Sequence, residues 1–469
     1  MRIFLALIAV AGTFGCTTLP EVHPWVQTAG ERTPAMVGAS GPLSRARAAK
    51  VLAKLSGPGG SDLLTKHVAI EEEASGSPLT LGNAAMLLYD GPAAYRSMFD
   101  AIDGARDHVN VEFYIIEDDD VGRAFSDLLL RKAAQGVSVN LMYDSVGCID
   151  TPLAFFDRLR EGGVKVVEYN PVNPLKARGA WRINNRNHRK VVIVDGRVGY
   201  TGGINISDVY SSGSSPGSTR GSAGGSGLSR GPRMSRGSQK IGWRDTHVRI
   251  AGPAVAQAQR LFLDTWAKQQ GEPLPERAWF PELERAGDHP ARMVASGPDN
   301  PVPAIYVSLV SAIMNAERSV YITMAYFVPD PQTIEALTGA AARGVEVVLV
   351  LPSYTDFWAV FHGGRSHYST LLEAGVQIYE RQRALLHAKT AVVDGVWSTI
   401  GSANMDWRSY LHNDELNAVI LGQGFGKEME ATFSRDRAES LRIEREAWER
   451  RPMSVRLKEW AARVWEYWL

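Results

Sequence analysis

Short runs of β-branched residues alternate with helical stretches along most of the chain, and the alternation occurs twice. Ala101-Ile-Asp-Gly-Ala-Arg106 leads into a strand pattern from Val109 to Ile116, a helical stretch to Gln135-Gly136-Val137, and a strand from Ser138 to Tyr143. Ala312-Ile-Met-Asn-Ala-Glu317 leads into a strand ending at Phe327, a helical stretch to Arg343-Gly344-Val345, and a strand from Glu346 to Leu351. Helices alternating with short strands predict an α/β fold. A repeat this long is a duplicated domain rather than a solenoid. The unbroken apolar run Val191 to Val194 predicts a central strand buried on both faces.

The chemistry lies at the ends of two such strands. His188-Arg-Lys190-Val-Val-Ile-Val-Asp195 continues through six residues to Gly202-Gly203-Ile-Asn205. His387-Ala-Lys389-Thr-Ala-Val-Val-Asp394 continues through six residues to Gly401-Ser402-Ala-Asn404. One copy of H-x-K-x4-D-x6-G-[GS]-x-N is a weak pattern, but two with identical spacing are a strong one. Side chains two apart on a strand share a face, so His188 pairs with Lys190 and His387 with Lys389. Asp195 and Asp394 have the opposite parity and are expected to face away, holding the scaffold by charge pairing. The small residues downstream let backbone approach a ligand closely, and Asn205 and Asn404 offer amide donors to phosphoryl oxygens.

Two such half-sites suit a phosphodiester. One imidazole attacks phosphorus, while the other protonates the leaving oxygen and then deprotonates the incoming alcohol or water. The two lysines stabilise charge on the non-bridging oxygens. With these cations built in, the site is expected to use no metal and no cofactor.

With Leu88-Tyr-Asp-Gly-Pro92, Glu112-Phe-Tyr-Ile-Ile-Glu-Asp-Asp-Asp-Val-Gly122, Trp243-Arg-Asp-Thr-His-Val248, Tyr326-Phe-Val-Pro-Asp330 and Asn404-Met-Asp-Trp-Arg-Ser409, the chain resembles the phospholipase D superfamily, and within it the bacterial cardiolipin synthases. The resemblance runs from about Leu64 to about Phe433. It implies duplicated α/β/α sandwich lobes with a pseudo-twofold active site at their interface. It also implies a phosphohistidine intermediate and transfer of a phosphatidyl group to the alcohol of a second lipid, phosphatidylglycerol being the expected substrate. By analogy His188 is the nucleophile and His387 the general acid/base. The family pattern maps Asp245 and Glu415 onto the acids that fix the histidine tautomers. Which acid serves which histidine stays open.

The expected organisation is a signal peptide at 1–15, a linker and extension at 16–80, lobe 1 at 81–275, lobe 2 at 276–435 and an amphipathic helical region at 436–469. With 469 residues, 45% of them hydrophobic, the chain is long enough for two fused cores. Its 51 basic and 51 acidic residues cancel, so no global basic field advertises nucleic acid. The expected state is a monomer with an internal pseudo-twofold.

Arg2 and the apolar run Ile3 to Gly12 are too short to span a bilayer and read as an export signal. Cys16 is the expected lipidation site, which makes the chain a candidate membrane-associated lipoprotein of the bacterial cell envelope. The other cysteine, Cys148, reads as a small buried residue. Thr17 to Ser61, rich in small residues, reads as a tether, and its basic stretch Arg45 to Lys54 as solvated or membrane-facing. Residues 211–240 form a Ser/Gly-rich insertion with five basic residues and no acid, either a tolerated surface loop or a basic flap. The acidic run Glu117 to Asp120 reads as charge at a helix start. In the last stretch Leu457, Trp460, Ala461, Val464 and Trp468 form one stripe, suited either to a membrane interface or to docking on the body.

Overall fold

The computed structural model describes residues 18–468, apart from 29–33, 39–40, 58–61, 178–180, 212–241, 284 and 356. Cys16, the apolar run before it and all but the first residue of the 211–240 insertion lie outside the described residues.

Seven strands repeat in the same order and sense in each half. In the first half the order is Leu79–Leu88, His247–Ala251, Val198–Gly202, Lys190–Val194, His108–Phe113, Ser138–Asp144 and Lys165–Tyr169. In the second it is His289–Ser296, Asn413–Leu421, Trp397–Gly401, Lys389–Val393, Ser319–Met324, Glu346–Pro352 and Gln377–Arg381. In each, the last three strands run parallel, with helices Asp120–Ala134 and Pro331–Ala342 as the first crossovers. The first strands of the two halves also pair, His289 with Asn83 and Ala291 with Thr80, making the sheet continuous. The expected duplicated fold is present.

Strand alternation divides the core into layers. Val192 and Val194 enter the first-lobe core, whereas Val191 and Ile193 face a layer shared with Ala291, Met293, Val392, Ile400 and Ile420 of the second lobe. The lobes therefore meet sheet to sheet through apolar side chains, and the motif strand is buried on both faces.

The motif aspartates hold the scaffold as expected, but through backbone amides rather than by charge pairing. Asp195 (φ 52°) and Asp394 (φ 53°) begin Asp-Gly turns in which Gly196 and Gly395 are also left-handed. Asp195 accepts from the backbone N–H groups of Arg106, Asp107 and His108. Asp394 accepts from those of Glu317, Arg318 and Ser319. The partners are amides because each turn bends the carboxylate back onto the start of the neighbouring strand.

The stretch expected as a tether is folded where it is described. Leu19, Val22, Met36, Leu52, Leu63 and Leu64 enter the second-lobe core, and helix Leu63–Ser75 packs on helix Ala304–Asn315. Small-residue composition concealed a sparse set of large apolar positions, which are buried or, like Trp25, Val26, Leu43 and Leu55, packed partly buried against that core. Helix Arg45–Ser56, capped by Ser44, buries Ala48 and Leu52 and leaves its basic residues solvated. Cys148 is buried, and its sulfur accepts the Ile116 N–H at 3.2 Å.

Candidate active site

The strand end that carries each motif histidine is seated on the opposite lobe. Arg186–Asn187 pairs in parallel with Asn413–Asp414, and the His188 N–H continues the ladder to the Asp414 carbonyl at 2.9 Å. Trp243–Arg244 pairs in parallel with Leu385–Leu386, and the His387 N–H donates to the Arg244 carbonyl at 2.8 Å. The side chains follow the same exchange. His188 Nδ1 lies 2.9 and 3.1 Å from the Glu415 oxygens, while His387 Nδ1 lies 2.7 Å from Asp245 Oδ2. Facing a carboxylate from the other half, each Nδ1 is placed to donate, which leaves Nε2 with a lone pair; Lys389 Nζ also approaches His387 Nδ1, at 3.0 Å.

Small residues make room for these carboxylates. A Cβ at Gly203 would sit 2.2 Å from Asp245 Oδ1, and one at Gly401 would sit 1.9 Å from Asn417 Oδ1. The expected close approach is therefore made by the histidine-orienting strand. On the other side Ser402 bonds the Leu416 N–H at 3.0 Å beside Glu415.

The lysines anchor back on their own histidines, Lys190 Nζ on the His188 carbonyl and Lys389 Nζ on the His387 carbonyl, both at 2.5 Å. All four side chains are buried, the histidines retaining 9% and 6% exposure. Burial holds His188 down to about 4; Glu415 opposes this, while Lys190 and Lys389 add to it. His387 is lowered by burial and by Lys389, with Asp245 opposing. Burial also lowers Lys190, to about 7, against the pull of Glu415. For Glu415, burial works upward but His188 and Lys190 prevail, holding it at about 2. The lysine charges reach across the lobes, so the two half-sites form one electrostatic unit.

The asparagines differ. Asn205 accepts the Ile115 N–H and donates to the Tyr210 hydroxyl, so one of its expected phosphoryl donors is already directed to protein. Asn404 keeps a buried Oδ1 with no partner among the described residues. Aromatic residues that spacing did not single out complete the walls. Trp243, Tyr210 and Tyr326 have ring centroids 5.0, 6.0 and 6.3 Å from His387, and Tyr114 lies 4.9 Å from His188. Trp243, Tyr114 and Tyr326 lie in segments that carry the family resemblance, whereas Tyr210 lies in none of them. Arg189, the variable position of the first motif, clamps Glu112, Asp414 and Thr265 across the lobes, and Ala388 takes its place in the second.

The acidic run behaves as a helix start, with Asp119 capping helix Asp120–Ala134 through the Gly122 N–H. Glu117, Asp119 and Asp208 bring carboxylates together there, with Asp119 also accepting the Asp208 N–H and Glu117 the Ser207 hydroxyl.

Paired lobes that share two H-x-K half-sites define a phospholipase D-type enzyme. The chain belongs to the cardiolipin synthase-like branch of that superfamily: the family described as "Cardiolipin synthase, PLD-like domain" matches residues 98–212 and 309–437. It is 34% identical to a cardiolipin synthase of Geobacillus thermodenitrificans, the match covering 82% of this chain and 72% of that protein. It is also 34% identical to cardiolipin synthase 1 of Staphylococcus epidermidis, over 82% of this chain and 74% of the other. The crystal structure of a Haemophilus influenzae phosphatidylserine synthase has the same fold, with a TM-score of 0.62 at 13% identity, covering 85% of this chain and 99% of that one.

Proposed function

We propose that the protein is a cardiolipin synthase-type phosphatidyltransferase that joins two phosphatidylglycerols and releases glycerol. The observation that carries this reading is the pair of buried histidines, each with its Nδ1 held by a carboxylate from the other half, beside two lysines. In the first step His188 Nε2 attacks phosphorus, and the departing glycerol oxygen takes a proton from His387 Nε2. In the second, His387 removes the proton from the hydroxyl of another phosphatidylglycerol, whose oxygen displaces His188 and forms cardiolipin. A nucleophilic imidazole must be neutral, which suits the low value of His188. His387 must begin protonated, and an anionic phosphodiester between the lysines supplies the charge that raises it. Lys190 and Lys389 stabilise the charge on the non-bridging oxygens.

The same proposal places the enzyme at a bilayer of the bacterial envelope, exported and acylated on Cys16, on the strength of the N-terminal sequence. No described helix is long and apolar enough to cross a membrane. The test is lipid mass spectrometry on purified enzyme with phosphatidylglycerol in mixed micelles. Cardiolipin with free glycerol is the expected result. Phosphatidic acid alone makes the enzyme a hydrolase with water as acceptor, and unchanged lipid overturns the phospholipid reading.

A further inference from the structure

Helix Met453–Arg463 docks by its less apolar side. Glu459 and Ala462 are buried against the body and Val455 is half-buried, with Glu459 accepting from Arg451 at 2.8 Å. On the opposite side Met453, Leu457, Trp460 and Val464, spaced i, i+4, i+7 and i+11, are 60–69% exposed, and Trp465 is 56% exposed. Burying this stripe is worth several kcal/mol in hydrophobic transfer, yet the fold leaves it facing solvent. Contiguous exposed apolar surface of this kind marks an interaction site.

Charge identifies the occupant. Between Arg450 and Trp465 the exposed charges are Arg450, Arg456, Lys458 and Arg463, while the acid within that stretch, Glu459, is turned inward; Glu466, just past it, lies 3.5 Å from Arg463. This stretch is positive in a chain whose net charge is zero. Aromatic and aliphatic residues flanked by basic ones match the boundary between anionic headgroups and acyl chains. The helix is also joined, through intervening elements, to the lobe that carries Glu415. It packs on helix Trp358–Arg365, which opens on the half-exposed Phe357 and Trp358. Just beyond it, Tyr467 packs on Trp407 and His412 at centroid distances of 5.6 and 6.4 Å, immediately before the strand that carries Glu415.

We propose that this face docks on an anionic phospholipid bilayer. Met453, Leu457, Trp460, Val464 and Trp465 enter the headgroup–acyl boundary, and Arg456 and Lys458 meet lipid phosphates. The choice of occupant rests on the phospholipid reading of the site, and it names the surface on which substrate is met.

The test uses the full chain with vesicles of phosphatidylglycerol or phosphatidylcholine brominated on the acyl chains, which quench only tryptophans that reach them. Strong quenching is expected on phosphatidylglycerol, at least tenfold weaker on phosphatidylcholine and reduced in about 0.5 M salt. Trp460→Phe with Trp465→Phe is expected to lose most of it. Arg456→Gln with Lys458→Gln, which leaves the buried face intact, is expected to raise the half-saturating vesicle concentration at least threefold. Turnover of detergent-dispersed lipid should stay within twofold. Equal quenching with and without the two tryptophans overturns the proposal, as does equal quenching by both lipids. Burial of Trp460 that rises with protein concentration in the absence of vesicles assigns the face to a second copy and also overturns it. Absent turnover in detergent with intact quenching removes the enzymatic reading and leaves docking standing.

Discussion

Glu415→Gln keeps shape and volume but removes the charge that receives the His188 Nδ1–H. That hydrogen bond is fully buried, at 2.9 Å to one oxygen and 3.1 Å to the other. A hydrogen bond to a charged group contributes about 1.5–3 kcal/mol. At about 1.4 kcal/mol per factor of ten, losing it from the transition state slows turnover roughly 10- to 150-fold. The glutamine amide also donates, which favours the tautomer with the proton on Nε2 and blocks attack. When the orienting acid of a serine-protease triad becomes an amide, the loss reaches about 10⁴ for this reason. The expected fall in kcat is therefore about 10² to 10⁴, with KM within a few-fold. Proton NMR of histidine-labelled protein reads the crossing directly. Glu415→Gln should remove or move the low-field Nδ1–H of His188 and leave that of His387, while Asp245→Asn should do the reverse. A loss below tenfold, or a resonance change at the histidine of the same half, refutes the crossed arrangement.

His188→Ala and His387→Ala should each reduce phosphatidyl transfer by at least about 10³, read as cardiolipin formed, and near-normal turnover in either variant rules out the two-histidine mechanism. Asp394→Ala removes the acceptor of three backbone amides and puts alanine at φ 53°, so a loss of about 3–5 kcal/mol in denaturant unfolding is expected, with Asp394→Asn milder. His188 and His247 are held by burial at about 4 and about 3, so the unfolded chain takes up their protons first. Stability should be complete above pH ~6.5 and fall towards pH 4 by up to about 3 kcal/mol per histidine, and a flat denaturant midpoint across that window contradicts this. Cys16→Ser should abolish labelling by radioactive palmitate, and unchanged labelling disproves acylation there.

The alternation of strands and helices, the duplication and the two motifs were legible because they depend on local spacing, which a sequence displays directly. The pairing of acids with histidines was not. Each acid lies nearer in sequence to the histidine it does not serve, and the exchange is made by short ladders between lobes. The scaffold-holding role of Asp195 and Asp394 was legible but their partners were not, because both strands turn at those residues and aim each carboxylate at backbone amides. The folded segment before Leu79 was hidden by its composition, since small residues outnumber the few large ones that bury. The terminal stripe was visible from its period, but the outward direction it faces depends on which side of the helix finds partners.

The exchanged strands act as an interlock. Because each histidine takes both its backbone seat and its orienting acid from the other half, parting the lobes unlatches both imidazoles at once. The strand pairing within each half does not depend on these seats and can persist while the imidazoles are released. Activity on heating should then follow the seam between the halves and disappear before either half has melted.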